Sequence, residues 1–185
     1  FFKRVAPIQI TYLGYPGTSG NKEMDYIIAD KTVIPEKTRK YYTEKVLYLP
    51  GSYIASSSDV LFKEKENKFT RKDFLLPEEQ IVFCAFHNPL KINPKLFDSW
   101  CNILMGVKNS IIWIKASSDI SKKNLGKEFT LRKINLNRVI FADGVEDISE
   151  HINRLKLADI FLDTYPYNSH STTFDYIRAN LPMII

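Results

Sequence analysis

Residues 166–175, Pro166-Tyr167-Asn168-Ser169-His170-Ser171-Thr172-Thr173-Phe174-Asp175, place hydroxyls, an imidazole and a carboxylate between an apolar run, Ile160-Phe161-Leu162, and a helix-like segment. A hydroxyl-rich turn between a buried strand and a first helical turn aims backbone N–H groups, Ser/Thr hydroxyls and the positive helix end at one point, which suits a phosphate. A nucleotide diphosphate is the natural occupant. Lys91 adds a cation that could neutralise it while Ser171 and Thr172 donate hydrogen bonds, the division of labour needed when a leaving group gains negative charge. Each motif alone also has a plain reading: Lys91 as a surface lysine before a helix, the Ser/Thr cluster as an N-cap.

Neighbouring residues carry similar pairs of readings. His170 contacts a sugar or phosphate, or caps the turn; His151 stacks on a base, or decorates an exposed helix. His151 and Arg154 are three apart, so on a helix they share a stripe and can reach a common target. Asp175 accepts from ribose hydroxyls, or stabilises the start of the last helix. His87, His151 and His170 lack short metal-binding spacing and the chain has no Asp-x-Asp pair, so no metal is expected. No Gly-x-Ser-x-Gly occurs, and neither Cys84 nor Cys101 neighbours a base; both read as buried reduced thiols.

The elements that must position these residues begin near residue 80, where apolar runs alternate with segments of helical period, the signature of βα units on a parallel sheet. The strands read Ile81–Phe86, Ser110–Ile114, Arg138–Phe141, Asp159–Leu162 and Met183–Ile185. Asn93-Pro94 opens an amphipathic helix with Leu96, Phe97, Trp100, Ile103, Leu104 and Val107 on one face. Asp147-x-x-Glu150 opens another, with Ile148, Ile152 and Leu155 as its apolar stripe, and a last helix starts near Ser171. In such a sheet ligands bind beyond the strands' carboxyl ends, which puts Phe86–Lys91, Lys115–Ser118, Asp143-Gly144-Val145 and Asn168–Asp175 on one rim. Upstream, Pro7–Leu13 reads as a strand, Gly14–Gly20 as a glycine-rich loop, Met24–Ala29 as a second strand, and about 36–48 as helical.

Composition fits an ordinary globular chain: 185 residues, 44% hydrophobic and 25% charged, without a run long enough to cross a bilayer or serve as a secretory signal. A cytoplasmic location is expected. The net charge of +5 lies largely in diffuse runs such as Lys63-Glu64-Lys65 and Lys122-Lys123, a solvated face rather than a nucleic-acid groove.

Pro7-Ile8-Gln9-Ile10-Thr11-Tyr12-Leu13-Gly14-Tyr15-Pro16-Gly17-Thr18-Ser19-Gly20 with Met24-Asp25-Tyr26-Ile27-Ile28-Ala29-Asp30 closely resembles the catalytic region of the protein O-GlcNAc transferases, bacterial-type and Spindly-like relatives included. The likeness continues through Phe86–Ile92, Leu157–Thr164 and His170–Asp175. It implies an α/β, GT-B-like fragment: residues 1–55 as the tail of the N-terminal catalytic lobe, 56–77 as the inter-lobe connection, and 78–185 as a truncated, parallel, Rossmann-like C-terminal lobe that binds the nucleotide sugar. It also implies inverting, metal-independent transfer of GlcNAc from the donor UDP-GlcNAc to Ser/Thr hydroxyls of protein acceptors. A related enzyme using GDP-fucose or UDP-glucose, or a non-catalytic nucleotide-binding remnant, is the alternative. Partners implied are the donor, a protein acceptor and, in the longer protein, an upstream lobe and tetratricopeptide repeats; no nucleic acid or membrane is implied. By the resemblance Lys91 and His170 are catalytic; Asn88 and Lys91 face the diphosphate; Ser171 and Thr172 hold the phosphates with His170 beside them; His151 stacks near uracil with Arg154 and Val145 close by; Asp175 reaches the ribose; and Gly14 lines the sugar and acceptor side.

Overall fold

The computed structural model describes residues 3–55 and 69–185, and the chain divides into two compact units, Phe1–Ser58 and Asp59–Ile185. The Lys63-Glu64-Lys65 run and residues 56–68 of the expected connection lie outside the described residues.

The first unit is built on a parallel sheet of β1 (Ile10–Thr11), β2 (Tyr26–Ala29) and β3 (Lys45–Tyr48), in that order. Alternation along β2 and β3 turns Ile27, Ala29 and Val46 to one side, where they pack with Ile34. Two expectations are corrected here. The strand anticipated over Pro7–Leu13 contracts to two residues: Pro7 has no N–H to give a ladder, and Leu13 turns the chain with φ of 69°. Residues 36–48 are not one helix but a 3-10 helix, Glu36–Tyr41, followed by β3. Tyr42 already has extended backbone angles, and the aromatic and β-branched residues of Lys45-Val46-Leu47-Tyr48 favour a pleated neighbour to β2.

The loop 14–20 is held by one buried carboxylate. Glu44, 4% exposed, accepts hydrogen bonds from the Ser19 N–H (2.7 Å), the Thr18 hydroxyl (2.7 Å), the Thr43 hydroxyl (3.1 Å) and the Ser19 hydroxyl. Burial pushes this carboxyl up, but the hydrogen bonds to its charged form outweigh burial and bring it down to about 2. Gly20 closes the loop with φ of 65°, a conformation that glycine adopts without strain.

The second unit alternates strand and helix throughout: β4 (Ile81–Ala85), α1 (Pro94–Gly106), β5 (Ser110–Lys115), α2 (Asp119–Leu131), β6 (Val139–Ala142), α3 (Ile148–Leu155), β7 (Ile160–Leu162), α4 (Thr173–Arg178) and β8 (Met183–Ile184). All strand pairs are parallel, in the order β6-β5-β4-β7-β8. Succession from β4 runs to one side through β5 and β6, then returns to the other side at β7. The loops after β4 and β7 therefore leave adjacent strand ends at the point where winding reverses.

Helices cover both faces of this sheet, which is why its strands read as nearly continuous apolar runs. On one face Val82, Cys84, Ile111, Trp113 and Phe161 pack with Ile152, Leu155 and Tyr176; on the other Phe83, Ile112, Ile114 and Leu162 pack with Phe97, Trp100, Leu104 and Phe129. Asn93 caps α1 by accepting from the Leu96 N–H at 3.0 Å, with Pro94 at the first helical position. Asp147 caps α3, accepting from Ser149 and Glu150 N–H at 2.7 and 3.2 Å. Ile148, expected in the α3 stripe, is exposed instead, because it occupies the first helical position beside the cap.

Two arginines fasten loops to the sheet. Arg138 precedes β6 in a short 3-10 helix rather than opening the strand, and donates to the carbonyls of Leu104, Val107 and Ser110. Arg71 donates to the carbonyls of Pro77, Glu78, Gln80 and Leu157 and pairs with Asp159 at 2.9 Å. Residues 69–77, read as the end of a connection, thus pack in the second unit, with Leu76 in its core. Cys84 and Cys101 are buried free thiols. Among the described residues no helix is long and apolar enough to cross a membrane.

Trp113 lies on the central sheet, its ring 4.7 Å from Phe86 and 5.2 Å from Phe74. Trp113→Ala is expected to lower unfolding free energy by about 3–5 kcal/mol in urea titrations, whereas Leu131→Ala, at an exposed helix end, should change it by less than about 0.5 kcal/mol. Since the Glu44 carboxyl is depressed in the folded state, its contribution is complete above the ordinary carboxylate range near pH 4.5 and disappears as pH falls through about 2. Carbon-detected titration of the Glu44 carboxyl should find that low midpoint, and Glu44→Gln should speed exchange of the Ser19 amide.

Candidate functional site

The edge formed by the carboxyl ends of β4 and β7 brings Lys91 to the segment after β7. Asn88 caps the 3-10 helix Pro89–Lys91, its side chain accepting from the Leu90 N–H at 3.0 Å. That turn carries Lys91 back over the neighbouring loop, where its ammonium donates to the Asn168 carbonyl at 3.0 Å and stands 4.6 Å from the centre of the Tyr167 ring. The His170 ring lies 5.0 Å from the same tyrosine ring. A lysine and a turn 77 residues apart thus form one cluster.

The loop between β7 and α4 is locked from within. Asp163, 9% exposed, accepts from the Thr164 N–H at 2.8 Å, the Ser169 N–H at 3.0 Å and the Ser169 hydroxyl at 2.8 Å. The Thr164 hydroxyl donates to the Tyr167 carbonyl at 2.6 Å, and the Asn168 side chain donates to the Thr164 carbonyl at 2.8 Å. Asn93, the α1 cap, also donates to the Tyr165 carbonyl at 2.7 Å. Beneath the loop His87 is buried; its Nε2 hydrogen goes to the Leu162 carbonyl at 2.7 Å, and Nδ1 faces Asp163 at 4.0 Å. Burial lowers the His87 pKa and keeps the ring neutral.

Past this lock the backbone opens. Thr173, Phe174 and Asp175 N–H groups close i to i+3 turns on His170, Ser171 and Thr172 carbonyls, but among the described residues the N–H groups of His170, Ser171 and Thr172 have no acceptor. Ser171 and Thr172 are exposed, and the Thr172 side chain makes no capping bond. The helix that follows is α4, beginning at Thr173 and only six residues long. The helix expected to start near Ser171 thus starts two residues later, after a tight turn, and the positive character of the site comes from free amides and Lys91 more than from the dipole of so short a helix.

The remaining residues are distributed around the rim. His151 and Arg154 are indeed together on α3, but neither decorates an exposed helix. Arg154 is buried: it donates to the Asp143 carbonyl at 2.7 Å and to His151 Nδ1 at 3.2 Å, and its guanidinium stands 4.6 Å from the Phe86 ring centre. Its Nε is buried without a hydrogen-bond partner among the described residues. Burial first, then the nearby Arg154 and Lys115 charges, lower the His151 pKa to about 4. Because Nδ1 accepts from Arg154, the proton of the neutral ring sits on Nε2. Val145 lies exposed in the loop after β6, and Lys122 from α2 pairs with Asp143 there at 2.7 Å. Asp175 is half-buried, its pKa raised by burial, with Arg178 at 3.7 Å. Gly14 belongs to the first unit, with open space around its Cα.

Two contributors escaped sequence reasoning. The Asn168 carbonyl is a backbone group and carries no residue-type signal. Asp163 follows an apolar strand as a single acidic residue, and only the fold reveals that three donors converge on it.

The sequence matches the family described as Glycosyl transferase family 41 over residues 1–70 and 64–185. It is 35% identical over 189 residues to a protein of Arabidopsis thaliana named "Probable UDP-N-acetylglucosamine--peptide N-acetylglucosaminyltransferase SEC", a likeness covering 100% of this chain and 19% of that one. The corresponding SPINDLY protein of Oryza sativa subsp. japonica is 31% identical over 98% of this chain and 19% of its own length. This chain spans about a fifth of the length of these relatives. Among solved structures, a lysine-to-methionine mutant of Thermobaculum terrenum O-GlcNAc transferase superposes with a TM-score of 0.81 at 21% identity, over 97% of this chain and 33% of that one. Anabaena HepE, in complex with UDP and glucose, gives a TM-score of 0.51 at 14% identity, over 86% and 44%. The parallel-sheet α/β fold is that of GT-B glycosyltransferases. With the family match running across both of its units, the chain belongs to glycosyl transferase family 41.

Proposed function

We propose that this chain carries the donor-binding part of a protein glycosyltransferase that moves GlcNAc from UDP-GlcNAc to Ser/Thr hydroxyls, with inversion and without a metal ion. Residues 1–55 are the tail of the N-terminal lobe and 78–185 the beginning of the C-terminal lobe, and of the connection expected over 56–77 residues 69–77 pack with the second unit. The observation that carries this reading is the convergence of the Lys91 ammonium with a turn whose amides at 170–172 are free. Family membership and the names of the relatives, which specify UDP-N-acetylglucosamine and a peptide acceptor, support the choice of donor and acceptor.

In the reaction an acceptor hydroxyl attacks the anomeric carbon from the face opposite UDP. A new C–O bond forms as the bond from that carbon to the β-phosphate oxygen breaks, the electron pair departs with the diphosphate, and the proton released by the acceptor hydroxyl is taken up by the departing diphosphate or by solvent. Lys91 and the free amides stabilise that growing charge by fixed positive groups, the contribution a divalent ion makes in other sugar transfers. Ser171 and Thr172 hydroxyls add donors to the phosphates and His170 stands beside them. On the nucleoside side, His151 offers a neutral ring with an Nε2 donor to the base, Val145 borders it and Asp175 accepts from the ribose. Asn88 anchors the turn that presents Lys91. Reaction in the cytoplasm follows from the same reading.

A screen of labelled UDP-GlcNAc, UDP-glucose and GDP-fucose with the full-length protein carrying this chain tests the proposal. Transfer from UDP-GlcNAc is expected, and Lys91→Ala should weaken UDP binding by about ten- to a hundredfold through loss of a charge-assisted contact. Transfer only from GDP-fucose, or UDP binding with no transfer from any donor, overturns it. Because the His151 pKa lies near 4, below the ordinary histidine value, the folded protein resists its protonation; stability from this group is complete above about pH 6.5 and declines as pH falls through about 4. Proton NMR of the His151 ring should show no titration between about pH 5.5 and 8.

A further inference from the structure

The peptide group joining Asn168 to Ser169 has both of its polar atoms engaged, in opposite directions. Its N–H donates to the buried Asp163 carboxylate, at 3.0 Å to Oδ1 and 3.2 Å to Oδ2, while its carbonyl accepts from the Lys91 ammonium at 3.0 Å. A trans peptide is planar, with N–H and C=O pointing opposite ways, so fixing the direction of one fixes the other. The same carboxylate takes the Ser169 hydroxyl at 2.8 Å and the Thr164 N–H at 2.8 Å, which pins both ends of the loop to one buried charge.

We infer that Asp163 is the positioning residue for Lys91, acting through the 168–169 peptide. Its charge fixes the peptide plane, the plane aims the Asn168 carbonyl across to the end of β4, and that carbonyl holds one of the three ammonium hydrogens. Two hydrogens of Lys91 make no other hydrogen bond among the described residues, though the ammonium also stands 4.6 Å from the centre of the Tyr167 ring, and the same loop carries the open amides of residues 170–172. Hydrogen bonds along such a chain also polarise one another: the carboxylate draws on the N–H and makes the carbonyl a better acceptor for the cation. Lys91 donates to no carboxylate among the described residues, so its positive charge is held in place without being neutralised by a carboxylate contact. A direct Asp–Lys pair would fix the lysine equally well but would cancel the charge the ligand needs. His87 closes the far side of Asp163 without competing for it, since its Nε2 hydrogen is taken by the Leu162 carbonyl.

This inference rests on the donor-binding reading above, and a double-mutant cycle separates the two. UDP affinity is measured by calorimetry on the full-length protein and on Lys91→Ala, Asp163→Asn, Ser169→Ala and the doubles with Lys91→Ala, alongside each thermal midpoint. Asp163→Asn is expected to weaken UDP binding by about tenfold and Ser169→Ala by about threefold. In the Lys91→Ala background neither substitution should weaken binding further, because groups acting through one partner are non-additive. A merely structural Asp163 would give losses that multiply in the doubles, and that result overturns the inference, as does unchanged affinity in both single variants. If Asp163→Asn does not fold, the Ser169→Ala pair of measurements decides alone, with Ser169→Thr, which keeps the hydroxyl, expected to restore affinity. Absence of UDP binding by the unaltered protein, or indifference to Lys91→Ala, defeats the donor-binding reading itself.

Discussion

Adjacency of β4 and β7 in the parallel sheet is the constraint on which the rest of the second unit depends. These strands are separated by two complete βα units in the chain, yet pair through Phe83 with Ile160 and Cys84 with Phe161. Their carboxyl ends stand side by side, so the turn that carries Lys91 and the loop that carries Asn168 share one edge. Were β7 to pair instead outside β6, the lysine and the open amides would be separated by the width of two strands, at roughly 5 Å per strand. The apolar contacts of the sheet therefore do more than stabilise: they choose which polar groups meet.

The polar groups at that edge follow a common pattern, in which a charge is buried by the fold and its effect is delivered through an uncharged intermediary. Asp163 works through a peptide group. Arg154, buried with no carboxylate contact among the described residues, donates to a carbonyl and to His151, and so sets which nitrogen of that ring carries the proton. In the first unit Glu44 organises the glycine-rich loop through hydroxyls and an amide. Burial makes each of these charges costly when unpaired, and the same low dielectric strengthens the hydrogen bonds that satisfy them. Substitution at such positions is expected to alter geometry at a distance of one group, and not only local stability.

Much of the second unit was legible because its signals are regular. Strands buried on both faces leave unbroken runs of Val, Ile and Phe, and helices that cover them leave period and caps: Asn93-Pro94 and Asp147 open α1 and α3 as their residue types require. Where the pattern fades, the reading failed for physical reasons. α2 buries only Gly126 and Phe129, so its stripe is too weak to stand out among its lysines and polar residues. Residues 36–48 carry charged residues compatible with a helix, but pairing with β2 drew the last four into a strand, a tertiary contact that local preference does not encode.

Residue types alone specified the chemistry available: a lysine, neighbouring hydroxyls, a histidine–arginine pair three residues apart, and an alternating βα order that places them after strands. They also carried the likeness through which the family was identified. Tertiary structure alone decided which of those residues meet and in what state. It started α4 at Thr173, two residues after Ser171, buried Arg154, and made Asp163 the hub of a loop whose decisive contact with Lys91 is made by a backbone carbonyl. A carbonyl is the same at every position of a sequence, and burial and direction, the two quantities that give it a role, exist only once the chain has folded.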